Sequence, residues 1–111
     1  MIYTAIVVLG LTAILGLYLL SLILRNKSLP KGVTIIHGLM AGAALILLLI
    51  FCFFNKPGPW ESMITLLIAA FGGFILNYRD ITGKTVPKWL GITHGLVAVT
   101  GFALLIYFAF W

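Results

Sequence analysis

Polar residues along the chain gather into three short clusters, and the stretches between them are apolar without alternation. The apolar runs are Ile2–Leu24, Val33–Phe54, Trp60–Tyr78 and Trp89–Trp111. Each is close to the roughly 20 residues that an α-helix needs to cross the hydrocarbon of a bilayer. None shows the period-two pattern of a barrel strand, and a backbone in hydrocarbon must pair its polar groups internally, so the runs are expected to be helices. Pro30 and Pro87 stand where the second and fourth helices should begin, with Ser28 or Thr85 available to help cap them. Lys56-Pro57-Gly58-Pro59 is a compact turn between the second and third. Connections this short force neighbouring helices to run antiparallel. The expected architecture is an all-α membrane protein, a four-transmembrane-helix up-down bundle in one domain spanning residues 1–111.

The same pattern is written twice. Lys27-Ser28-Leu29-Pro30-Lys31, followed by His37-Gly38-Leu39-x-Ala41, returns as Lys84-Thr85-Val86-Pro87-Lys88 and His94-Gly95-Leu96-x-Ala98. The offset is 57 residues throughout, and about 12 of 28 aligned positions are identical between Lys27–Phe54 and Lys84–Trp111. The chain therefore reads as two helical hairpins, 2–54 and 59–111, in the same orientation. A pseudo-twofold axis along the membrane normal would relate them, which makes them parallel repeats and sets the second and fourth helices on a diagonal.

Composition and charge sharpen this. Hydrophobic residues are 63% of the chain and charged residues 8%, which excludes a water-soluble fold of 111 residues. The first run is expected to be a permanent helix and not a cleaved signal, because its basic residues Arg25 and Lys27 follow the apolar core. Of the net charge of +5, Arg25, Lys27 and Lys31 fall in the first connection and Arg79, Lys84 and Lys88 in the third, beside Asp80. The middle connection has Lys56 against Glu61. The positive-inside rule then puts the first and third connections in the cytoplasm and both termini outside, as in a bacterial inner membrane. Topology accounts for the basic clusters without a nucleic-acid partner. Cys52, the one cysteine, has no partner for a disulfide and reads as a lipid- or core-facing thiol. Trp60, Trp89 and Trp111 fit an interfacial aromatic belt.

His37 and His94 are the only histidines, and both lie inside apolar runs. Each is seven residues past a proline, so both sit roughly 10 Å in from the cytoplasmic helix ends at 1.5 Å per residue. Ionisable groups at such depth are costly and mark functional sites. Facing one another across the diagonal, the two imidazoles have the arrangement that ligates a haem iron from both sides. Positions four and seven residues on are Ala41 and Ala44 in one helix, Ala98 and Gly101 in the other. They share the histidine's face and would leave a slot for a flat macrocycle. Gly16, Gly72 and Gly73 lie at the matching level of the other two helices, where glycine admits a close backbone approach. Lys31 and Lys88, with Lys27, Lys84 and Arg79, could meet the haem carboxylates at the surface. The plainer reading is helix packing through Gly38-x-x-x-Gly42 and Gly91-x-x-x-Gly95, with the histidines bonding across an interface. A zinc site is disfavoured, since no Cys, Asp or Glu accompanies the two imidazoles.

The paired His-Gly-Leu-x-Ala segments on a four-helix frame resemble the transmembrane b-type cytochromes. That resemblance covers the architecture and these two segments. It implies haem b clamped by His37 and His94, electron transfer by its iron, and a quinone site nearby, for which Asn77, Tyr78 and Arg79 are candidates beside their interfacial anchoring role. Two-haem versions need four histidines, so the resemblance implies one haem per chain here. The protein would then act as an electron carrier or quinone-linked oxidoreductase, with a quinol or a cytoplasmic reductase as donor, and a second copy of the chain as a candidate partner. Other four-helix proteins of this length fit less well. Small multidrug transporters rely on a glutamate in the first helix, which holds none here, and the likeness of Gly72-Gly73 and Asn77-Tyr78-Arg79 to fluoride channels is one short coincidence. A non-redox bundle, a small transporter or accessory subunit whose histidines pack or relay protons, is the alternative class.

Overall fold

The computed structural model describes residues 1–111 as four α-helices, α1 (Ile2–Leu24), α2 (Lys31–Phe54), α3 (Trp60–Ile81) and α4 (Lys88–Phe110). Three of the four differ from the apolar runs by a turn or less, and the caps explain each difference. At the end of α1 the chain enters the left-handed region at Asn26 (φ 57°), and the Lys27 amide donates to the Leu22 carbonyl at 2.9 Å. The end of α3 repeats this 57 residues on: Gly83 has φ 75° and the Lys84 amide donates to the Arg79 carbonyl at 2.9 Å. This six-to-one closure satisfies carbonyls that a helix end leaves free. It stops α3 at Ile81, beyond the Tyr78 expected from hydropathy, so Arg79 and Asp80 stand on the last helical turn. At the other helix starts Pro30 and Pro87 are themselves the N-caps, in extended conformation, with no side-chain cap bond. The expected help from Ser28 or Thr85 is absent because two residues separate each hydroxyl from the first turn. The helices therefore open at Lys31 and Lys88.

Antiparallel neighbours pack in the ring α1–α2–α3–α4–α1, with α1–α2 and α3–α4 in most extensive contact and α2–α3 in least. The diagonals α1–α3 and α2–α4 have no backbone approach. All four helices are long and apolar enough to span a bilayer. The long axis of the molecule, 43 Å, matches a bilayer with its headgroup regions, roughly 40–45 Å. Only 17 of 111 residues are buried, and leucines, isoleucines and phenylalanines face outward on every helix. Lipid is the solvent for that surface, and the chain is a multi-pass membrane protein.

One buried cluster holds the half of the bundle away from the basic connections: Ile2, Leu9, Ala44, Leu48, Cys52, Met63, Leu66 and Leu105. Cys52 is thus a core thiol. Most hydroxyls within the helices bond back to their own backbone, as Thr12 does to Val8, Thr65 to Glu61 and Thr100 to Leu96. That satisfies them without binding helices together. Ser62 differs: its buried hydroxyl donates to the Gly101 carbonyl at 2.7 Å and ties α3 to α4.

Candidate functional site

Both histidines stand two turns into their helices, on the diagonal pair α2 and α4. Their ring centres are 6.4 Å apart with ring planes at 75°. Neither helix brings its backbone near the other, so the imidazoles themselves reach across the bundle interior.

Each ring is held by the helix before it in the chain. His37 Nδ1 lies 2.9 Å from the Thr12 carbonyl oxygen of α1, and His94 Nδ1 lies 2.7 Å from the Ala69 carbonyl oxygen of α3. A carbonyl can only accept, so in both rings Nδ1 carries the hydrogen and donates it. A neutral imidazole with its hydrogen on Nδ1 has its lone pair on Nε2. No hydrogen bond within the chain uses either Nε2, and no side-chain nitrogen or oxygen is sealed without a partner. Two accessible nitrogen lone pairs are thus presented by rings whose orientation is fixed from behind. This is the arrangement that metal-ligating histidines use, the second ring nitrogen setting the tautomer of the first.

The glycines explain how the rings come so near to backbone. The carbonyl of Thr12 points along α1 toward the amide four residues on, which belongs to Gly16. A Cβ at Gly16 would stand 2.9 Å from His37 Cε1, and one at Gly73 would stand 3.1 Å from His94 Cε1. A side chain at Gly16 would force the His37 ring to shift, and one at Gly73 would require the His94 ring to give by a few tenths of an ångström. Gly72 is less demanding, its nearest approach to His94 being 3.7 Å. Thr12 and Ala69 are 57 residues apart, as are Gly16 and Gly73 and the two histidines.

The remaining expected residues divide. Ala41 and Ala98 are half-buried, one turn beyond each histidine. Ala44 and Gly101 are fully buried but line no slot. Ala44 belongs to the apolar cluster, and a Cβ on Gly101 would meet Leu66 at 2.7 Å. Their small size is used for direct helix contact, and Leu66 fills the room toward the membrane centre. Lys31 is engaged with Asp80 of α3, 2.8 Å away. Lys88 is exposed and free of such a partner. Arg79 donates to the Thr85 carbonyl at 2.8 Å and Lys84 lies over the Tyr78 ring, so these residues organise the α3–α4 connection. A cleft of about 210 Å³ on the outer side of α3–α4, lined in part by Ala69, Gly72, Leu90, Thr93 and Val97, reaches His94. A larger one of about 450 Å³ lies around Trp60, Tyr107 and Trp111, at the opposite end from the histidines.

The two imidazoles can be compared with the spacing that a shared metal ion requires. Imidazoles binding an ion from opposite sides at metal–nitrogen bonds of about 2.0–2.1 Å hold their ring centres roughly 6 Å apart, and these rings stand at 6.4 Å. No three of His, Cys, Asp and Glu gather anywhere in the chain, which excludes an all-protein tetrahedral site. The chain itself offers no third donor beside the two imidazoles. Sequence reasoning found the histidines and the glycines beside them. It missed the Thr12 and Ala69 carbonyls, for which the 57-residue offset carried from α2 and α4 back to α1 and α3 was the available signal. The chain matches no family model, no curated protein and no solved structure.

Proposed function

We propose that the protein is a membrane b-type cytochrome that holds one haem between His37 and His94 and transfers electrons. The observation that carries this reading is the pair of imidazoles with ring centres 6.4 Å apart, each tied through Nδ1 to a backbone carbonyl. A haem would supply four in-plane nitrogen donors and an iron able to take up and release one electron. His37 and His94 would hold the iron, and with both imidazoles bound no position would be left for oxygen, which favours electron transfer over ligand activation. The carbonyl bonds strengthen each imidazole as a donor and fix its ring plane. Lys88, without a protein partner, is the better placed of the two lysines to receive a carboxylate of the cofactor. The 57-residue correspondence supports a pseudo-twofold relation between the hairpins, with the basic connections in the cytoplasm of a bacterium.

A second reading is supported by the same carbonyl bonds. His37 and His94 tie α2 to α1 and α4 to α3, and they could serve a non-redox bundle by packing alone. Spectroscopy separates the two. Purified with its membrane lipids, the protein should show a Soret band with sharp α and β bands on reduction, and one haem b per chain by extraction. His37→Ala and His94→Ala should each leave a five-coordinate, high-spin haem or none. A colourless, fully helical wild-type protein that takes up no added haem would overturn the proposal and leave the packing role.

A further inference from the structure

Asp80 and Glu61 are the only acidic side chains, and their surroundings differ. Asp80 is paired with Lys31 in the one ion pair of the molecule, which leaves Glu61 without a cation. Glu61 stands on the first turn of α3 and borders the larger cleft, about 450 Å³, at the end of the bundle away from the histidines. Lys56, the one basic side chain at that end, is not part of the cleft wall. The volume is in the range of small-molecule sites, roughly 300–1,000 Å³.

The rest of that wall is rich in aromatic rings: Trp60 of α3, Tyr107 and Phe108 of α4, and Trp111 beyond it. The rings are braced. Trp60 meets Phe53 edge to face at 5.2 Å, Phe108 meets Phe51 in the same way at 6.4 Å, and Tyr107 and Trp111 lie parallel at 6.1 Å. Ser62, on the same wall, is tied to the Gly101 carbonyl. The repeat separates what packing requires from what is added. In the first hairpin the residue matching Glu61 is Thr4, that matching Tyr107 is Ile50, and that matching Trp111 is Phe54. That hairpin packs without a carboxylate or a phenol at these positions, so the charge and the electron-rich rings are not demands of helix contact.

A cation gains from both kinds of group. Aromatic faces attract it through their quadrupoles, and a carboxylate supplies the opposite charge. Alkyl groups on the nitrogen favour such a wall further, because they lie against rings where a hydrated ammonium would keep its water. We propose that this cleft binds an alkylated ammonium group, with Glu61 as its counter-ion and Trp60, Tyr107 and Trp111 as its ring contacts. The 43 Å axis puts the helix ends at headgroup depth. A choline-type lipid headgroup and a free quaternary ammonium ion both present this chemistry there. The site is separate from the histidines and does not depend on the haem reading.

The test is a titration of the full chain carrying Trp89→Phe, in a maltoside detergent, so that tryptophan emission comes from Trp60 and Trp111 on the cleft wall. Choline chloride, matched against sodium chloride, should change the emission to saturation. Glu61→Gln should weaken binding about tenfold and Tyr107→Leu about threefold, with far-UV circular dichroism unchanged. Lys56→Gln should leave the affinity as it is. Nanodiscs distinguish the two sources. In phosphatidylglycerol the choline response should persist. In phosphatidylcholine it disappears where the headgroup is the occupant and survives where the free ion is. No saturable change, or an affinity that Glu61→Gln leaves unaltered, would overturn the site. Should Glu61→Gln fail to fold, Tyr107→Leu decides in the same way.

Discussion

The two nitrogens of each imidazole are committed differently, and a backbone carbonyl does the committing. Thr12 and Ala69 act through main-chain oxygen, so substituting their side chains leaves the acceptor in place. The side chain that cannot be added is the one on the neighbouring glycine. Gly16→Ala puts a methyl 2.9 Å from His37 Cε1, and Gly73→Ala puts one 3.1 Å from His94 Cε1. The ring must swing away and the Nδ1 bond lengthens or breaks. Loss of such an orienting bond weakens metal affinity by about 10–100-fold, and the Gly16 change should be the more damaging because its contact is tighter. Helix propensity runs the other way, alanine being favoured over glycine by about 1 kcal/mol. On the proposed haem reading, titration with haem should therefore show weaker binding in helices that are no less stable. Gly42→Ala, with open space around it, is the control.

Between elements, the α3–α4 contact shows small residues used for packing. Ser62 and Gly101 meet where a glycine lets α4 lie directly on Leu66, and the Ser62 hydroxyl reaches the Gly101 carbonyl. Gly101→Ala should destabilise the hairpin by about 1–3 kcal/mol through overpacking. Ser62→Ala should cost about 0.6 kcal/mol, a common value for a hydrogen bond between membrane helices. Unfolding in mixed detergent micelles ranks the two, and equal effects would mean that Leu66 can move aside. The helices were legible in the sequence because hydrocarbon leaves an apolar run of 20 residues no other structure. Their ends were less so: hydropathy stops α3 at the first charges, whereas the left-handed Gly83 stops it a turn later. The histidines were legible because ionisable groups in the bilayer are rare. Their acceptors were not, since a carbonyl has no residue type. Nor were the pairings Ser62–Gly101 and Lys31–Asp80, which depend on how separate helices align.

Across the whole molecule, charge is sorted by end. The helix order places Arg25, Lys27, Lys31, Arg79, Lys84 and Lys88 together at one end of the 43 Å axis, with Lys56 and Glu61 at the other. Asp80 does not offset this sorting, because acidic residues contribute little to orientation and it is already paired with Lys31. Moving the basic end across a membrane would carry six cations with it, against one for the opposite end. The insertion step therefore has one strongly preferred outcome, and both basic connections specify the same one. Reporter fusions within Lys56–Glu61 and after Trp111 should be active outside the cytoplasm, and fusions beside Lys27 or Lys84 inside it. That outcome would put the histidines in the cytoplasmic half of the bilayer, about two helical turns from the surface. A cytoplasmic Lys56–Glu61 turn would reverse the orientation. The histidines would then lie in the opposite half of the bilayer, with the same site geometry left intact.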